Sequence, residues 1–247
     1  MEHYYKANDL VLDDDLENAQ KEYEICLKED STNWKAYYQL AGLHQLKGDF
    51  ASAMHCFSKA VEINPKFAMG FFSKSNLEDL VGDEKGSARD LKRTLALKSN
   101  FFIAVLSVAR KELGSGNFKN AIVAFDSAIK IRSDFYLAYS MRGTCKYKTG
   151  DFEGAVKDFT HEIDLAPGHI MGYVNRAVAY GELKSYRAAI TDLSTAIQLD
   201  PLWSQAYIYR GAYYNMLKVK DSSCGDFQMA KKLKNPQADA YSKQYCK

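Results

Sequence analysis

Small and aromatic side chains recur along this chain at a constant spacing of 34 residues. The first column of small residues consists of Ala19, Ala53, Ser87, Ala121, Ala155, Ala189 and Ser223. A second, mostly aromatic column lies four residues later and holds Tyr23, Phe57, Leu91, Phe125, Phe159, Leu193 and Phe227. A third column holds Ala7, Ala41, Ser75, Ala109, Gly143, Ala177 and Gly211. Three columns, each of one physical type, predict a tandem repeat protein.

The columns predict that each repeat is a pair of helices. Small residues let two helix backbones approach closely, and an aromatic side chain then fills the neighbouring groove. Lys47-Gly48-Asp49-Phe50 is a turn of the expected kind, because glycine ends one helix and Asp caps the next. Pro65, Pro167 and Pro201 end the second helix, because proline cannot continue it. Each repeat is therefore helix A, a turn, helix B and a second turn.

The spacing Ala53-x3-Phe57-x2-Ala60-x4-Pro65 resembles the tetratricopeptide repeat. The resemblance implies an all-α, right-handed superhelix, or α-solenoid, of about 14 to 15 antiparallel helices. The predicted units are 1–33, 34–67, 68–101, 102–135, 136–169, 170–203 and 204–237, followed by a closing helix over 238–247. The pattern is weakest in the third unit, and Glu162 stands where the family has alanine.

The resemblance implies a non-enzymatic scaffold that binds a protein or peptide in the concave groove of its A helices. By analogy with the family, the predicted groove residues are Tyr4, Tyr38, Met69, Phe72, Asn76, Ile103, Leu106, Arg110, Leu137, Tyr147, Met171, Val174 and Ile208. This lining is largely apolar, which favours a hydrophobic or amphipathic partner segment. The alternative for any single residue is packing between adjacent A helices.

The same positions argue against a chaperone carboxylate clamp. That binding mode of the family needs basic residues at several places on the A helices, and one of these is the fifth place of a unit. The fifth places here are Tyr4, Tyr38, Phe72, Leu106, Ser140, Val174 and Ile208. Without cations at these places, no clamp is expected.

Charge and motifs narrow the remaining function classes. The net charge is only +2, which does not favour nucleic acid or an anionic membrane as the partner. There is no membrane-spanning apolar run and no signal-peptide pattern at the start of the sequence. The compartment stays open between the cytoplasm and, if a leader has been removed, the periplasm or exterior. No cofactor, metal site or catalytic group is expected, because the histidines lack ligand spacing.

Two cysteines near the end of the chain introduce a further possibility. Cys224-Gly225-Asp226-Phe227, followed by Tyr245-Cys246, is similar to the tail of some exported tetratricopeptide repeat proteins of bacteria. The resemblance implies a disulfide between Cys224 and Cys246, the alternative being two unrelated thiols. Two rival functions also stay open, a homo-oligomerising structural module and an accessory protein of a cell-envelope complex.

Overall fold

The structure is a computed structural model that describes residues 1–246, and it contains helices and no strands over that range. The fifteen helices in these residues are α1 (Glu2–Leu12), α2 (Leu16–Glu29), α3 (Trp34–Leu46), α4 (Phe50–Ile63), α5 (Ala68–Leu80), α6 (Glu84–Leu97), α7 (Phe102–Gly114), α8 (Phe118–Ile131), α9 (Tyr136–Lys148), α10 (Phe152–Leu165), α11 (Ile170–Glu182), α12 (Tyr186–Leu199), α13 (Ser204–Met216), α14 (Lys220–Lys232) and α15 (Ala238–Tyr245). The all-α class is therefore confirmed. Among the described residues, no helix is both long and apolar enough to cross a bilayer.

Consecutive helices pack as hairpins, with each odd-numbered helix followed by its even-numbered partner. We number these hairpins 1 to 7 and refer to their two helices as A and B. The chain forms two compact units, unit 1 (Met1–Ala104) and unit 2 (from Val105 onward). Hairpins 1 to 3 lie in unit 1 and hairpins 5 to 7 in unit 2. The assignment of seven repeat units remains a prediction, and Lys247 of the predicted closing helix lies outside the described residues.

Several B helices begin at an aspartate that caps the first turn. Asp15, Asp49, Asp83 and Asp151 each accept a hydrogen bond from the backbone N–H three residues later. The cap satisfies an amide that the first turn of a helix leaves without a partner. The turn sequences therefore define where these helices start.

The turn before helix B needs one residue in the left-handed region. Gly48, Gly82, Gly116 and Gly150 fill this place with φ between 75° and 84°. Hairpins without the glycine use Asp14, Lys184 and Lys218 at φ of 57° to 60°. A side chain in this region is strained, so the same turn forms at a cost where glycine is missing. Hairpins 1, 6 and 7 thus form the same left-handed turn without a glycine.

The three predicted columns form the centre of the core. The first column is no more than 1% exposed, and the aromatic column no more than 3%. Gly143 shows why the third column is small. A Cβ added to it would lie 2.8 Å from a ring carbon of Phe159. Each aromatic side chain buried here contributes roughly 1.5–3 kcal/mol, so repetition of this contact holds the hairpins together.

Candidate functional site

The predicted groove residues all lie on A helices, but their exposure differs widely. Met69, Ile103 and Met171 are 42%, 53% and 43% exposed. Asn76 and Arg110 are also exposed. The partly buried members are Tyr4, Tyr38, Leu106, Leu137 and Tyr147. A partner can therefore reach the side chains of the exposed residues, which are Met69, Asn76, Ile103, Arg110 and Met171.

Three of the predicted groove residues are buried in the array instead. Phe72 is 8% exposed and lies against the ring of Phe101, with the centroids 5.1 Å apart. Val174 and Ile208 are 4% and 1% exposed and belong to clusters of buried apolar residues. The expectation that these three side chains face a guest is corrected, because neighbouring helices cover them. Their substitution would test packing instead of binding.

The partly buried Tyr38 and Tyr147 each contact a residue on the next A helix. The Tyr38 hydroxyl is 3.0 Å from Ser73 Oγ on the next A helix, and its ring lies against Phe67. Tyr147 donates a hydrogen bond of 3.0 Å to Glu182. Burial and this carboxylate raise the pKa of Tyr147 above its usual range. These side chains connect adjacent hairpins, which agrees with the alternative that they pack between A helices. Each still retains some exposed surface.

A second apolar surface lies in unit 1 where the A helices end. A depression of about 670 Å³ is lined by Val11, Tyr23, Gln39, Gly42, Leu43, Gln45, Leu46, Phe50 and Leu80. Leu46 and Leu80 are 74% and 59% exposed, and Val11 and Phe50 are 37% and 36% exposed. We call these lining residues the leucine edge. Contiguous exposed apolar surface of this kind marks a candidate interaction site.

Charged side chains form a fourth periodic column that we did not predict from the sequence. A cation on helix A pairs with a carboxylate 16 residues later on helix B. The pairs are Lys6–Glu22, Lys74–Asp90, Arg142–Asp158, Arg176–Asp192 and Arg210–Asp226. The two remaining hairpins have Leu40 with Cys56 and Val108 with Ala124 at these places. The 34-residue spacing of these pairs is the signal that could have revealed them.

Arginine in this column also reaches the preceding hairpin. Arg176 donates to both carboxylate oxygens of Asp192, at 2.8 and 2.7 Å, and to Thr160 Oγ1 at 3.0 Å. Arg210 does the same with Asp226 and Ser194. A planar guanidinium suits this task because its donors point in fixed directions. Unit 2 thus has polar links between hairpins inside its packed helices.

Two buried glutamates have carboxyl groups whose pKa is raised. Burial raises the pKa of Glu78, although Lys74 lies 2.8 Å away. Burial likewise raises the pKa of Glu162, whose Oε1 is 2.6 Å from Nδ1 of His169. Perturbed carboxyl groups often mark catalytic sites. Here both groups pack between helices, against the backbone of Gly86 and Gly172 respectively, and neither lines the depression described above.

The cysteines and histidines show little sign of chemistry. Burial raises the pKa of Cys56 and of Cys145 to about 11, so both thiols are protonated and poorly nucleophilic at neutral pH. Residues 1–246 contain no group of three His, Cys, Asp or Glu side chains placed to hold a metal ion. Cys224 and Cys246 are joined by a disulfide that ties α14 to the end of α15.

These features define a class, a helical repeat protein of stacked α-hairpins. Two family models, both described as the tetratricopeptide repeat, match residues 34–67 and 172–201. Residues 34–67 and 172–201 are therefore tetratricopeptide repeats, which confirms the family predicted from the sequence, and the number of repeats in the chain stays a prediction. The search of curated proteins found no match.

Solved structures agree on the fold. The C-terminal part of a tetratricopeptide repeat protein from Cytophaga hutchinsonii is 15% identical, covers 96% of this chain and 98% of its own, and gives a TM-score of 0.81. A tetratricopeptide repeat protein from Parabacteroides merdae is 17% identical, covers 100% and 98%, and gives 0.63. The repeat protein YrrB, which has an unusual peptide-binding site, is 18% identical over 74% and 95%, with a TM-score of 0.66.

Proposed function

We propose that this chain is a non-enzymatic scaffold that binds a protein or peptide through the exposed apolar residues of its A helices. The observation that carries the proposal is the exposure of Met69, Ile103 and Met171. These large side chains occupy the same place in three of the predicted repeats and are 42–53% exposed. The columns of small and aromatic residues are, by contrast, nearly inaccessible. Their exposure recurs at one position of the predicted repeat, on A helices, and so differs from the scatter of single apolar residues found on most surfaces.

The chemistry of these side chains favours an apolar or amphipathic guest. Methionine is flexible and polarisable, so it adapts to partners of different shape. Tyr4, Tyr38, Leu106, Leu137 and Tyr147 add partly exposed aromatic and aliphatic surface on the same helices. Tyrosine suits an interface because it combines an apolar ring with a hydroxyl. Asn76 and Arg110 offer polar groups that can bind the backbone of a guest.

Support for a peptide or protein partner also comes from the comparisons. The fold is that of YrrB, a tetratricopeptide repeat protein with a peptide-binding site. At 18% identity this likeness concerns the fold, and the binding residues have to come from the present chain.

A pull-down with matched variants tests the proposal. The full chain is the bait for extract of the native host, and bound proteins are identified by mass spectrometry. We expect the variant Met69→Ser/Ile103→Ser/Met171→Ser to lose partners that the parent chain enriches. Val123→Ser is the control, because Val123 is 65% exposed but lies on a B helix. Circular dichroism checks that both variants stay helical. If the triple variant retains the same partners as the parent, the A-helix surface is not the binding site.

A further inference from the structure

The leucine edge of unit 1 combines an open cavity with neighbouring turns that together carry five aspartates and one lysine. The three turns between helices A and B in this unit are residues 13–15, 47–49 and 81–83. They contain Asp13, Asp14, Asp15, Asp49 and Asp83, and Lys47 as their basic residue. The apolar side chains Leu46 and Leu80 directly precede two of these turns. Aspartates therefore lie within three residues of Val11, Leu46, Phe50 and Leu80, which line the apolar depression.

Unit 2 shows that this combination is not a general property of the fold. Its turns 149–151, 183–185 and 217–219 contain Asp151, Lys184 and Lys218 as charged residues. The places equivalent to Leu46 and Leu80 are occupied in hairpins 5, 6 and 7 by Lys148, Glu182 and Met216. The same backbone thus has no corresponding row of leucines next to aspartates. The leucine edge is a local feature of the sequence of unit 1.

The wall of the depression includes Gly42, which faces open space. A Cβ added to Gly42 has no atom within 4 Å, so the space in front of this helix is empty. Around it, Val11, Leu46, Phe50 and Leu80 leave apolar surface in solvent. A volume of about 670 Å³ lies within the range of sites that hold several buried groups. The cavity can accept a few large side chains from a guest.

We infer that the leucine edge binds a basic amphipathic helix, with apolar side chains in the depression and Lys or Arg facing the aspartates of the turns. A helix presents apolar residues at intervals of three and four on one face, which suits a short apolar site. Cations beside that face complement the acidic turns and speed association. The inference goes beyond the proposed function because it concerns the turn end of unit 1, and not Met69, Ile103 or Met171.

A pair of synthetic helices tests the choice of partner. The first probe is a labelled amphipathic helix of Leu and Lys, and the second has Glu in place of every Lys. Fluorescence anisotropy with the full chain should show the Lys probe binding at least about tenfold more tightly than the Glu probe. Added salt should weaken the Lys probe, because it screens exposed charges. Equal binding of the two probes would overturn the inference.

Variants of the chain locate the probe. Gly42→Leu places a side chain in the depression, at a position where an added Cβ has no atom within 4 Å, and it should weaken binding of the Lys probe by about tenfold or more. Leu46→Ser/Leu80→Ser should do the same by removing exposed apolar surface. The control is Leu202→Ser, since Leu202 is 76% exposed but lies in unit 2. Circular dichroism confirms the helical content of each variant.

The outcomes separate this inference from the proposed function. Loss of the probe in Met69→Ser/Ile103→Ser, together with normal binding by Gly42→Leu, would place the helix on the A-helix surface and overturn the inference alone. Sedimentation adds one more outcome. A dimer of the parent chain that Gly42→Leu dissociates would show that a second copy occupies the leucine edge, which also overturns it.

Discussion

Hairpins 3 and 6 bury charge at the same place of the repeat but balance it differently. In hairpin 6, Arg176 meets one carboxylate, Asp192, and one hydroxyl, Thr160. In hairpin 3, Lys74 lies between two carboxylates, 2.8 Å from Glu78 and 2.5 Å from Asp90. Oε2 of Glu78 is buried without a hydrogen-bond partner.

The difference shows that the geometry of the donors decides how well a buried charge is satisfied. A guanidinium carries five donors in fixed directions and can serve Asp192 and Thr160 together. The single ammonium of Lys74 serves two acids, and the exposed Arg89 adds only long contacts of 3.4 Å to Glu78 and 3.2 Å to Asp90. Hairpin 3 therefore leaves one buried carboxylate oxygen of Glu78 without a partner, whereas in hairpin 6 both carboxylate oxygens of Asp192 accept from Arg176.

The largest effect is expected from breaking the matched pair in hairpin 6. Asp192→Ala leaves the guanidinium of Arg176 largely buried and without its carboxylate. We expect a loss of about 3 kcal/mol in the free energy of unfolding, at the lower end for a broken buried pair because the Arg176 side chain is still 17% exposed. Urea unfolding followed by Trp203 fluorescence in a Trp34→Phe background measures this loss. Trp203 is a suitable reporter because it packs on the apolar cluster that includes Val174 and Leu193, from the same two helices as Arg176 and Asp192.

A double variant sharpens this prediction. Arg176→Leu/Asp192→Cys copies the apolar pair Leu40 and Cys56 of hairpin 2. Removal of both charges leaves neither unpaired, so most of the stability should return, to within about 1–2 kcal/mol of the parent. If the double variant is as unstable as Asp192→Ala, the place requires charge, and the equivalence of charged and apolar pairs is wrong.

The two kinds of column were not equally predictable from the sequence. Ala109 and Phe125 were found as core because small and aromatic types repeat and have one default environment. Arg176 and Asp192 are usually exposed residue types, so their repetition at 34 residues looks like solvated surface unless the offset of 16 is noticed. Phe72, Val174 and Ile208 were assigned to the groove by position, but their burial depends on the side chains of the adjacent helices. Local pattern predicted the hairpins, and contacts between hairpins decided which A-helix residues stay exposed.

A smaller effect, of opposite sign, is expected from the buried acid Glu78 of hairpin 3, whose Oε2 has no partner. Because burial raises the folded-state pKa of Glu78 above 4.5, the folded protein binds more protons than the unfolded chain at pH values between 4.5 and that folded pKa. The contribution of this group to stability therefore falls as pH rises from 4.5 through the folded pKa. Glu78→Gln removes that fall. We expect the variant to gain stability relative to the parent towards neutral pH, by about 1.4 kcal/mol per unit of pKa difference.

Urea unfolding at several pH values, with Trp34 as the reporter in a Trp203→Phe background, measures the effect. Glu84→Gln is the control, because Glu84 lies exposed in the same hairpin. A constant difference between Glu78→Gln and the parent across the pH series would contradict the prediction, since it would mean that the pKa of Glu78 is the same in the folded protein and in the unfolded chain.

The smallest effect is expected from the hydroxyl that completes the site of Arg176. Thr160 of hairpin 5 accepts a hydrogen bond of 3.0 Å from Nη1 of Arg176 in hairpin 6. It also donates a hydrogen bond of 2.8 Å to the carbonyl of Val156. Thr160→Ala removes one acceptor but leaves the pair with Asp192, so we expect a loss of about 1 kcal/mol. Thr191→Ala is the matched control, because Thr191 makes the same kind of bond to its own helix, to the carbonyl of Arg187, and is exposed. The difference between the two variants in urea unfolding isolates the link between hairpins. Equal changes would show that Arg176 is satisfied by Asp192 alone and that its contact with hairpin 5 adds nothing to the stability of unit 2.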